Sequence, residues 1–253
     1  MQHFLSVYIG FDHRETNAYL TLRHTLRKHI RIHPIRITPL ILPVLQKQGL
    51  YTRPMSWKQT AEDPLRWDDL SDSNMSTEFS NSRFLTYHLE KNTKLKTSHW
   101  AIFADCDILC RGDLFQLNEE LDQKYAVMCV QHDYVPSSTV KMDGQIQYQY
   151  ARKNWSSMIA FNMGHPSNEG LTLELINSVP GRDLHRFCWL QDHEIGALRN
   201  RWNYLVNTPN QSKEEEPIFV HFTNGTPEMR GHEDCEYAEE WFAAREEALL
   251  CLR

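Results

Sequence analysis

Two carboxylates separated by one residue are the clearest candidates for chemistry in this sequence. Asp105 and Asp107 come directly after residues 100–104, an apolar run (WAIFA) typical of a buried strand. In an open α/β sheet the ligand crevice lies beyond the carboxyl ends of the strands. Two carboxylates this close repel each other unless solvent or a cation relieves the repulsion. A hard divalent cation that bridges to phosphate oxygens would do so, whereas the simpler alternative makes Asp105 a turn cap and leaves Asp107 solvated.

The segments around this pair predict an α/β sheet. The chain opens with a strand at residues 4–9, a helix after Gly10 and a second strand at 35–42 closed by Pro43, which is a β-α-β unit. Asp12 and Glu15 fit a capping-box start of that helix. Further strands are expected at 125–131, 156–162 and 218–222, and further helices at 78–91, just after Asp113, at 168–178, at 190–198 and at about 234–250.

Two long segments carry no clear hydrophobic period and are interpreted as loops. Residues 52–78 contain Trp57, Trp67 and a Ser/Asp/Asn-rich stretch, which is typical of a lid or an acceptor-side loop. Residues 132–152 are polar, and three charged residues there are either donor-sugar or acceptor contacts or members of a solvated loop: Asp133, Lys141 and Asp143.

Length and composition favour one globular domain spanning residues 1–253. The content of 41% hydrophobic and 24% charged residues excludes a disordered or fibrous chain. The net charge of −6 argues against a nucleic-acid partner. Residues 23–36 are basic, and this stretch is either a solvated helix face or a peripheral contact with an anionic membrane.

The sequence offers no run of about 18 apolar residues and no leader pattern at its start, so we expect a cytoplasmic protein. Six cysteines are scattered without paired spacing, as is usual for reduced thiols.

The order of motifs along the chain resembles glycosyltransferase family eight and its bacterial relatives. Those enzymes have a helix starting S-R-F/L, an apolar strand, D-x-D, a D-L-x-x-L helix, an asparagine-containing strand, a D-Q-D-like loop and a late H-x-T-x-G. The corresponding segments here are Ser82-Arg83-Phe84, Trp100–Ala104, Asp105-Cys106-Asp107, Asp113–Leu117, Ser156–Asn162, Leu190-Gln191-Asp192 and His221–Gly225. Together they span most of the chain.

This resemblance implies a GT-A-type fold, a central mixed and mostly parallel sheet flanked by helices. It implies a metal-dependent hexosyltransferase that retains the anomeric configuration and moves a hexose from a nucleotide-sugar, such as a UDP-hexose, to a glycan acceptor. Asp105, Asp107 and His221 would ligate Mn²⁺ or Mg²⁺, and an imidazole among oxygen ligands favours Mn²⁺. His221 could instead be an ordinary buried histidine at a strand end.

The resemblance also assigns residues to the donor and to catalysis. Arg83 would contact the donor phosphate or sugar, with a surface ion pair as the alternative. Trp155 is either a sugar-stacking surface or a core residue. The remaining donor contacts would be Tyr8, Gly10 and Asp12 at the nucleoside, Asp105 at the diphosphate, Lys153 and Asn154 at the sugar, and Gly225 or Arg230 in place of a lysine that the family has near this position.

The catalytic group implied by the resemblance is Gln191, Asp192 and His193. Asp192 would stabilise positive charge at the anomeric carbon, or it is simply a first-turn acid of a helix. Leu190 stands where the family has its first aspartate, so the identity of any nucleophile is open.

Three other interpretations compete with this one. The pairs His185/Cys188 and His232/Cys235 repeat an H-x-x-C spacing, although their separation is long for one zinc site. A nucleotidyltransferase also pairs carboxylates with a nucleotide, but it usually carries a glycine-rich basic loop that residues 10–14 lack. A non-catalytic nucleotide-sugar-binding protein could share the same fold.

Overall fold

A computed structural model describes residues 5–30, 34–59, 64–93, 99–133, 152, 154–208 and 215–252. Lys141, Asp143 and Lys153 lie outside these ranges. The strands are β1 (Leu5–Phe11), β2 (Ile35–Ile41), β3 (Met55–Lys58), β4 (Leu65–Asp68), β5 (Ser73–Asn74), β6 (Trp100–Ala104), β7 (Ile108–Cys110), β8 (Val127–Val130), β9 (Met158–Asn162), β10 (Ile195–Leu198), β11 (Tyr204–Leu205) and β12 (Phe219–His221).

The α-helices are α1 (Thr16–Lys28), α2 (Leu42–Lys47), α3 (Leu85–Lys91), α4 (Leu173–Ser178), α5 (Gly181–His185) and α6 (Ala238–Leu250). Short 3₁₀ helices cover His13–Glu15, Ser82–Phe84, Leu114–Glu119, Trp155–Ser157, Pro166–Gly170, Asp192–Glu194 and Asn200–Trp202. Within the described ranges no helix is long and apolar enough to cross a membrane.

The central sheet has six strands in the order β10-β8-β9-β6-β1-β2. Strands β2, β1 and β6 are parallel, β9 runs antiparallel between β6 and β8, and β10 is parallel to β8. All five residues of β6 are buried, which explains why its sequence is apolar at every position. The fold is therefore the mixed, mostly parallel α/β sheet that we expected.

A second sheet, in the order β11-β12-β7, stands beside the central one. Its apolar side packs on Trp241 and Ala244 of α6, and α6 also packs against α1. The predicted C-terminal helix is thus present, but it begins at Ala238 and Cys251 beyond it is exposed.

The segment predicted as a long loop at 52–78 is a loop only in part. Its described part contains β3, β4 and β5, which form an antiparallel sheet. These strands have only two to four residues each. Such short strands show too few alternating inward and outward side chains for a hydrophobic period to be visible in the sequence.

Three other boundaries differ from expectation. Residues 190–198 are not a helix, because Ile195–Leu198 pairs with β8 as a strand and only Asp192–Glu194 is helical. Pro43 does not merely close β2 but lies in the first turn of α2, where the missing N–H of proline costs nothing. The helix expected at 78–91 is 3₁₀ at first and regular only from Leu85.

The small β3–β5 sheet is tied to the rest of the chain by a buried ion pair. Arg53 donates to both carboxylate oxygens of Asp68, at 3.2 and 2.5 Å, and neither side chain is more than 2% exposed. The same guanidinium donates to the carbonyl oxygens of Ile176 and Val179 at 2.6 and 2.7 Å. Arg53 therefore joins the small sheet to α4.

Removing this guanidinium is expected to destabilise the protein strongly. Arg53→Ala leaves the Asp68 carboxylate buried without its counter-charge, so the free energy of unfolding should fall by about 3–5 kcal/mol. Urea denaturation measures the loss. Lys28→Ala is the control, because Lys28 and its partner Glu247 are about half exposed and their pair is worth less than about 1 kcal/mol. An equal effect of the two substitutions would contradict this account.

Candidate active site

The register of the central sheet brings three chain segments together at one edge. Ala104, the last residue of β6, pairs with Ile9 of the parallel strand β1 and with Met158 at the start of the antiparallel strand β9. Residues after β1, after β6 and before β9 therefore meet at the carboxyl end of β6. The backbone N–H of Asp105 donates to Ser157 O at 2.8 Å across this edge.

Asp105, Asp107 and His221 converge at this edge. Each offers one ligand atom, and these atoms lie within 4.8 Å of one another. His221 arrives through the antiparallel pairing of β12 with β7, which sets it opposite Ile108, and its Nε2 lies 3.3 Å from Asp107 Oδ1. The three residues that the resemblance assigned to a metal are therefore neighbours in space although they are far apart in sequence.

The ring of His221 is held in one orientation. Its Nδ1 lies 2.9 Å from Asn203 Oδ1, and the amide of Asn203 donates in turn to Ser157 Oγ at 2.8 Å. Because the amide oxygen can only accept, Nδ1 carries a proton, and Nε2 is the ring atom that faces Asp107. Histidine ligands of metals are usually fixed by such a second hydrogen bond. Asn203 was not identified from the sequence.

Arg83 is a fixed counter-charge for Asp105. Its Nη1 lies 2.9 Å from Asp105 Oδ1 and donates to Ser156 O at 2.8 Å, while its Nε donates to Ser80 O at 3.0 Å. The guanidinium also lies 5.0 Å from the centre of the Phe103 ring. The expected surface ion pair is wrong in one respect, since Arg83 is only 6% exposed.

A third carboxylate, Glu15, adds negative charge beside the cluster. Cys106 Sγ donates to Glu15 Oε2 at 3.2 Å. Burial and, after it, the nearby charge of Asp107 raise the pKa of Glu15 to about 7. The motif analysis predicted only a capping role for Glu15, because its proximity to Asp107 depends on the fold and not on local spacing.

A second acidic group, Asp12, His13 and Glu78, also has ligand atoms within 4.8 Å of one another. Here the charges are already balanced. Asp12 accepts from Arg14 Nε and Nη2 at 3.0 and 2.7 Å, and Arg66 Nη2 lies 2.8 Å from Glu78 Oε1. Two guanidiniums neutralise two carboxylates, so this group fits a cation less well than the cluster around Asp105.

Asp12 is an N-cap, as one of its two interpretations predicted. Its Oδ1 accepts from the backbone N–H of Arg14, and its Oδ2 accepts from that of Glu78, both at 3.0 Å. Burial acts to raise its pKa, but the hydrogen bonds and charge of Arg14 outweigh burial and lower the pKa below its usual range. A nucleoside bound by Asp12 would have to share the carboxylate with Arg14 and the backbone N–H of Glu78.

Tyr8 and Gly10 are close-packed. The Tyr8 side chain is buried, and its hydroxyl donates to Glu90 Oε2 at 2.9 Å, so its contact with a nucleoside, as expected from the resemblance, would require rearrangement of this hydrogen bond. A Cβ on Gly10 would lie 2.4 Å from the Phe79 ring, so only glycine fits. Any nucleoside contact in this segment would come from the backbone after Gly10.

The other predicted donor contacts lie on two sides of the cluster. Asn154, in the left-handed region at φ 64°, has its carbonyl oxygen bound by Ser157 Oγ at 2.7 Å. Trp155 is partly buried on the core, and the guanidinium of Arg152 lies 5.5 Å from its ring centre. Gly225 has φ +144° and lies against His232. Arg230 is exposed.

The predicted catalytic group is not part of the metal-ligand cluster. Gln191 and Glu194 cap each other at the Asp192–Glu194 turn, and Gln191, Asp192 and His193 are exposed. The carboxylate of Asp192 forms an ion pair with Arg152, which in turn lies over Trp155. Asp133 is also exposed. Catalytic roles for these residues stay predictions.

The zinc interpretation receives no support. His185 Nδ1 lies 2.6 Å from Ser156 Oγ, and Cys188 is exposed. Among the described residues, His185, Cys188, His232 and Cys235 do not form a group of ligand atoms close enough for one metal ion.

The fold is that of GT-A-type glycosyltransferases. The bifunctional glycosyltransferase WbbM matches 97% of this chain with a TM-score of 0.60 and 14% identity. GlyE of Streptococcus pneumoniae TIGR4 matches 96% with a TM-score of 0.56 and 13% identity. The galactosyltransferase LgtC, solved with donor and acceptor sugar analogs, matches 96% of this chain with a TM-score of 0.55 and 10% identity. The matched regions are 50%, 60% and 96% of those chains, respectively, so this chain spans only part of WbbM and GlyE.

Sequence similarity identifies the family of the chain. Protein CDI of Arabidopsis thaliana is 42% identical over 245 residues, which cover 95% of this chain and 86% of that protein. The chain therefore belongs to the family of Protein CDI. No protein-family model matches the chain.

Mn²⁺ binding at the cluster is expected to depend on Asn203. Asn203→Ala removes the acceptor that orients His221, and loss of such a partner typically weakens metal binding about 10–100-fold. Isothermal titration with Mn²⁺ measures the change. Asn92→Ala, at an exposed asparagine, is the control and should bind Mn²⁺ as the parent does. Unchanged affinity in Asn203→Ala would contradict this role.

Proposed function

We propose that this protein is a metal-dependent glycosyltransferase that moves a hexose from a UDP-sugar to a glycan acceptor. The observation that carries the proposal is the Asp105, Asp107 and His221 cluster at the carboxyl edge of the central sheet. The GT-A-type fold supports it, since the three solved neighbours named above are glycosyltransferases.

The donor set of this cluster fits a divalent cation. Two carboxylates and one imidazole suit Mn²⁺, and Mg²⁺ would be the second choice. Asp105, Asp107 and Glu15 together carry more negative charge than the single guanidinium of Arg83 balances, so a cation would be attracted. When bound, such an ion supplies a Lewis acid that neutralises charge on a diphosphate leaving group.

The protein's own residues would prepare this site before a donor binds. Arg83 holds Asp105 in a fixed position, because two carbonyl oxygens bind the guanidinium. Asn203 holds the His221 ring with Nε2 toward Asp107. Groups fixed in advance need no reorganisation when charge develops, which is the main source of electrostatic catalysis.

The donor would lie across the edge of the sheet. The nucleoside would lie by the segment after β1, close to Gly10 and Asp12, and the diphosphate by Asp105 and Asp107. The hexose would then lie toward β9 and β8, near Asn154 and Trp155. The order of strands in the sheet supports this order of groups, since β6 stands between β1 and β9.

UDP binding should require Mn²⁺ and Asp107. Asp107→Asn keeps the shape of the side chain but removes its charge, so Mn²⁺-dependent affinity for UDP should fall at least about 100-fold, while the melting temperature stays close to that of the parent. Calorimetric titration of UDP with and without Mn²⁺ measures both arms. Asp72→Asn, at an exposed carboxylate, is the matched control. If Asp107→Asn binds UDP as tightly as the parent, the proposed metal site is wrong.

Catalysis is distinguished from mere binding by product analysis. A glycosyltransferase should slowly hydrolyse its UDP-sugar when Mn²⁺ is present, and a binding protein should leave the donor intact. The resemblance to family eight supports retention, so NMR of the released or transferred sugar should first detect the α-anomer from an α-configured donor. A β-configured first product would contradict retention and would weaken the resemblance.

A further inference from the structure

His132 is a buried polar side chain outside the group of three metal-ligand candidates. It lies two residues after β8 and is 8% exposed. Its Nε2 is buried and has no hydrogen-bond partner among the described residues. Buried polar atoms are nearly always satisfied in native proteins, so an unsatisfied one needs a water, an ion or a ligand as its partner.

A hydrogen bond to its carbonyl oxygen places His132 beside the segment before β9. Trp155 Nε1 donates to His132 O at 2.9 Å, which joins the end of β8 to the segment before β9. Asn154 in that segment has a second buried atom without a partner, its Nδ2. Asn203, which orients His221, is 3.4 Å from Asn154 O through its Nδ2. Two unsatisfied polar groups therefore lie next to the same network.

The strand order decides which part of a donor would be there. β8 is two strands away from β6, and β1 is on the other side of β6. Two strand spacings are about 10 Å, so the end of β8 lies well beyond the end of β6 on the β9 side. With the diphosphate at Asp105 and Asp107, the side chains of His132 and Asn154 are on the sugar's side of the sheet.

The chemistry of His132 suits a hydroxyl group better than a phosphate. Burial and, after it, the nearby His221 lower the pKa of His132 to about 3. A neutral imidazole offers one donor and one acceptor, as a sugar hydroxyl does, and it adds no positive charge for an anion. The amide of Asn154 is likewise neutral.

We propose that His132 is a specificity-determining residue that hydrogen-bonds a hydroxyl of the donor hexose through Nε2, beside the Asn154 amide. The inference rests on the proposed function, because it takes the diphosphate to lie at Asp105 and Asp107. His132 would therefore discriminate between donor sugars that differ in the hydroxyl it contacts.

His132→Phe tests this inference, because a phenyl ring keeps the shape of the imidazole and removes its polar atoms. Replacing an unsatisfied polar group by an apolar one should not lower the melting temperature. The KM for UDP-glucose or UDP-galactose, whichever the parent uses, should rise about tenfold, while the inhibition constant of UDP with Mn²⁺ changes less than twofold. His132→Gln, which keeps a donor and an acceptor, should recover most of the affinity.

His185→Phe is the matched control for stability, because His185 is a partly buried histidine whose Nδ1 does have a partner, Ser156. This substitution should lower the melting temperature. If His132→Phe lowers it by a similar amount, His132 is a structural residue and the inference is wrong. His132→Leu gives the same comparison with a smaller side chain if the phenyl variant does not fold.

The failure of this inference can be told apart from failure of the proposed function. If the parent binds UDP with Mn²⁺ and the KM of His132→Phe for the UDP-sugar is unchanged, only the role of His132 is wrong. Equal weakening of UDP and UDP-sugar would assign His132 to the diphosphate and also overturn it. If the parent binds neither UDP nor a UDP-sugar, the proposed function fails and this inference fails with it.

Discussion

The repulsion between carboxylates at the end of β6 is the constraint around which this site is built. Asp105 and Asp107 follow a strand that is buried on both faces, and Glu15 approaches from the segment between β1 and α1. Like charges in a partly desolvated place are unfavourable unless opposite charge is fixed nearby. The protein supplies one such charge, Arg83, and holds it between backbone carbonyl oxygens and aromatic rings. The excess negative charge that remains is what gives the site an affinity for a cation.

The second acidic group in the same part of the fold makes the contrast clear. Around Asp12 and Glu78, each carboxylate has its own arginine, and the group caps a helix and joins two segments of the chain. Around Asp105 and Asp107, one arginine serves two or three carboxylates. Both groups offer oxygen and nitrogen ligands at suitable distances, so distance alone does not separate a structural cluster from a functional one. The charge balance does.

Local features of the site could be predicted from the sequence, and non-local ones could not. The apolar run before Asp105 indicated a fully buried strand, and the fold confirmed it. The partners of that strand end were not visible, because Glu15 and Asn203 reach the cluster only through long-range packing. The three short strands within 52–78 were missed for a related reason. Its short strands have too few residues for a period, and Arg53, an arginine in an otherwise polar stretch, gave no sign of a fully buried partner.

A site of this kind weakens the fold that carries it, so its stability must come from elsewhere. Crowded carboxylates and unsatisfied atoms such as His132 Nε2 are each unfavourable in the absence of ligand. The compensating interactions are the burial of strand β6, the contact of α1 with α6, and the Arg53–Asp68 pair. These interactions are also the reason why the site can be rigid. A cation or a sugar that paired with these groups would then bind without reorganising the chain. Its binding would remove the unfavourable interactions and so stabilise the folded protein.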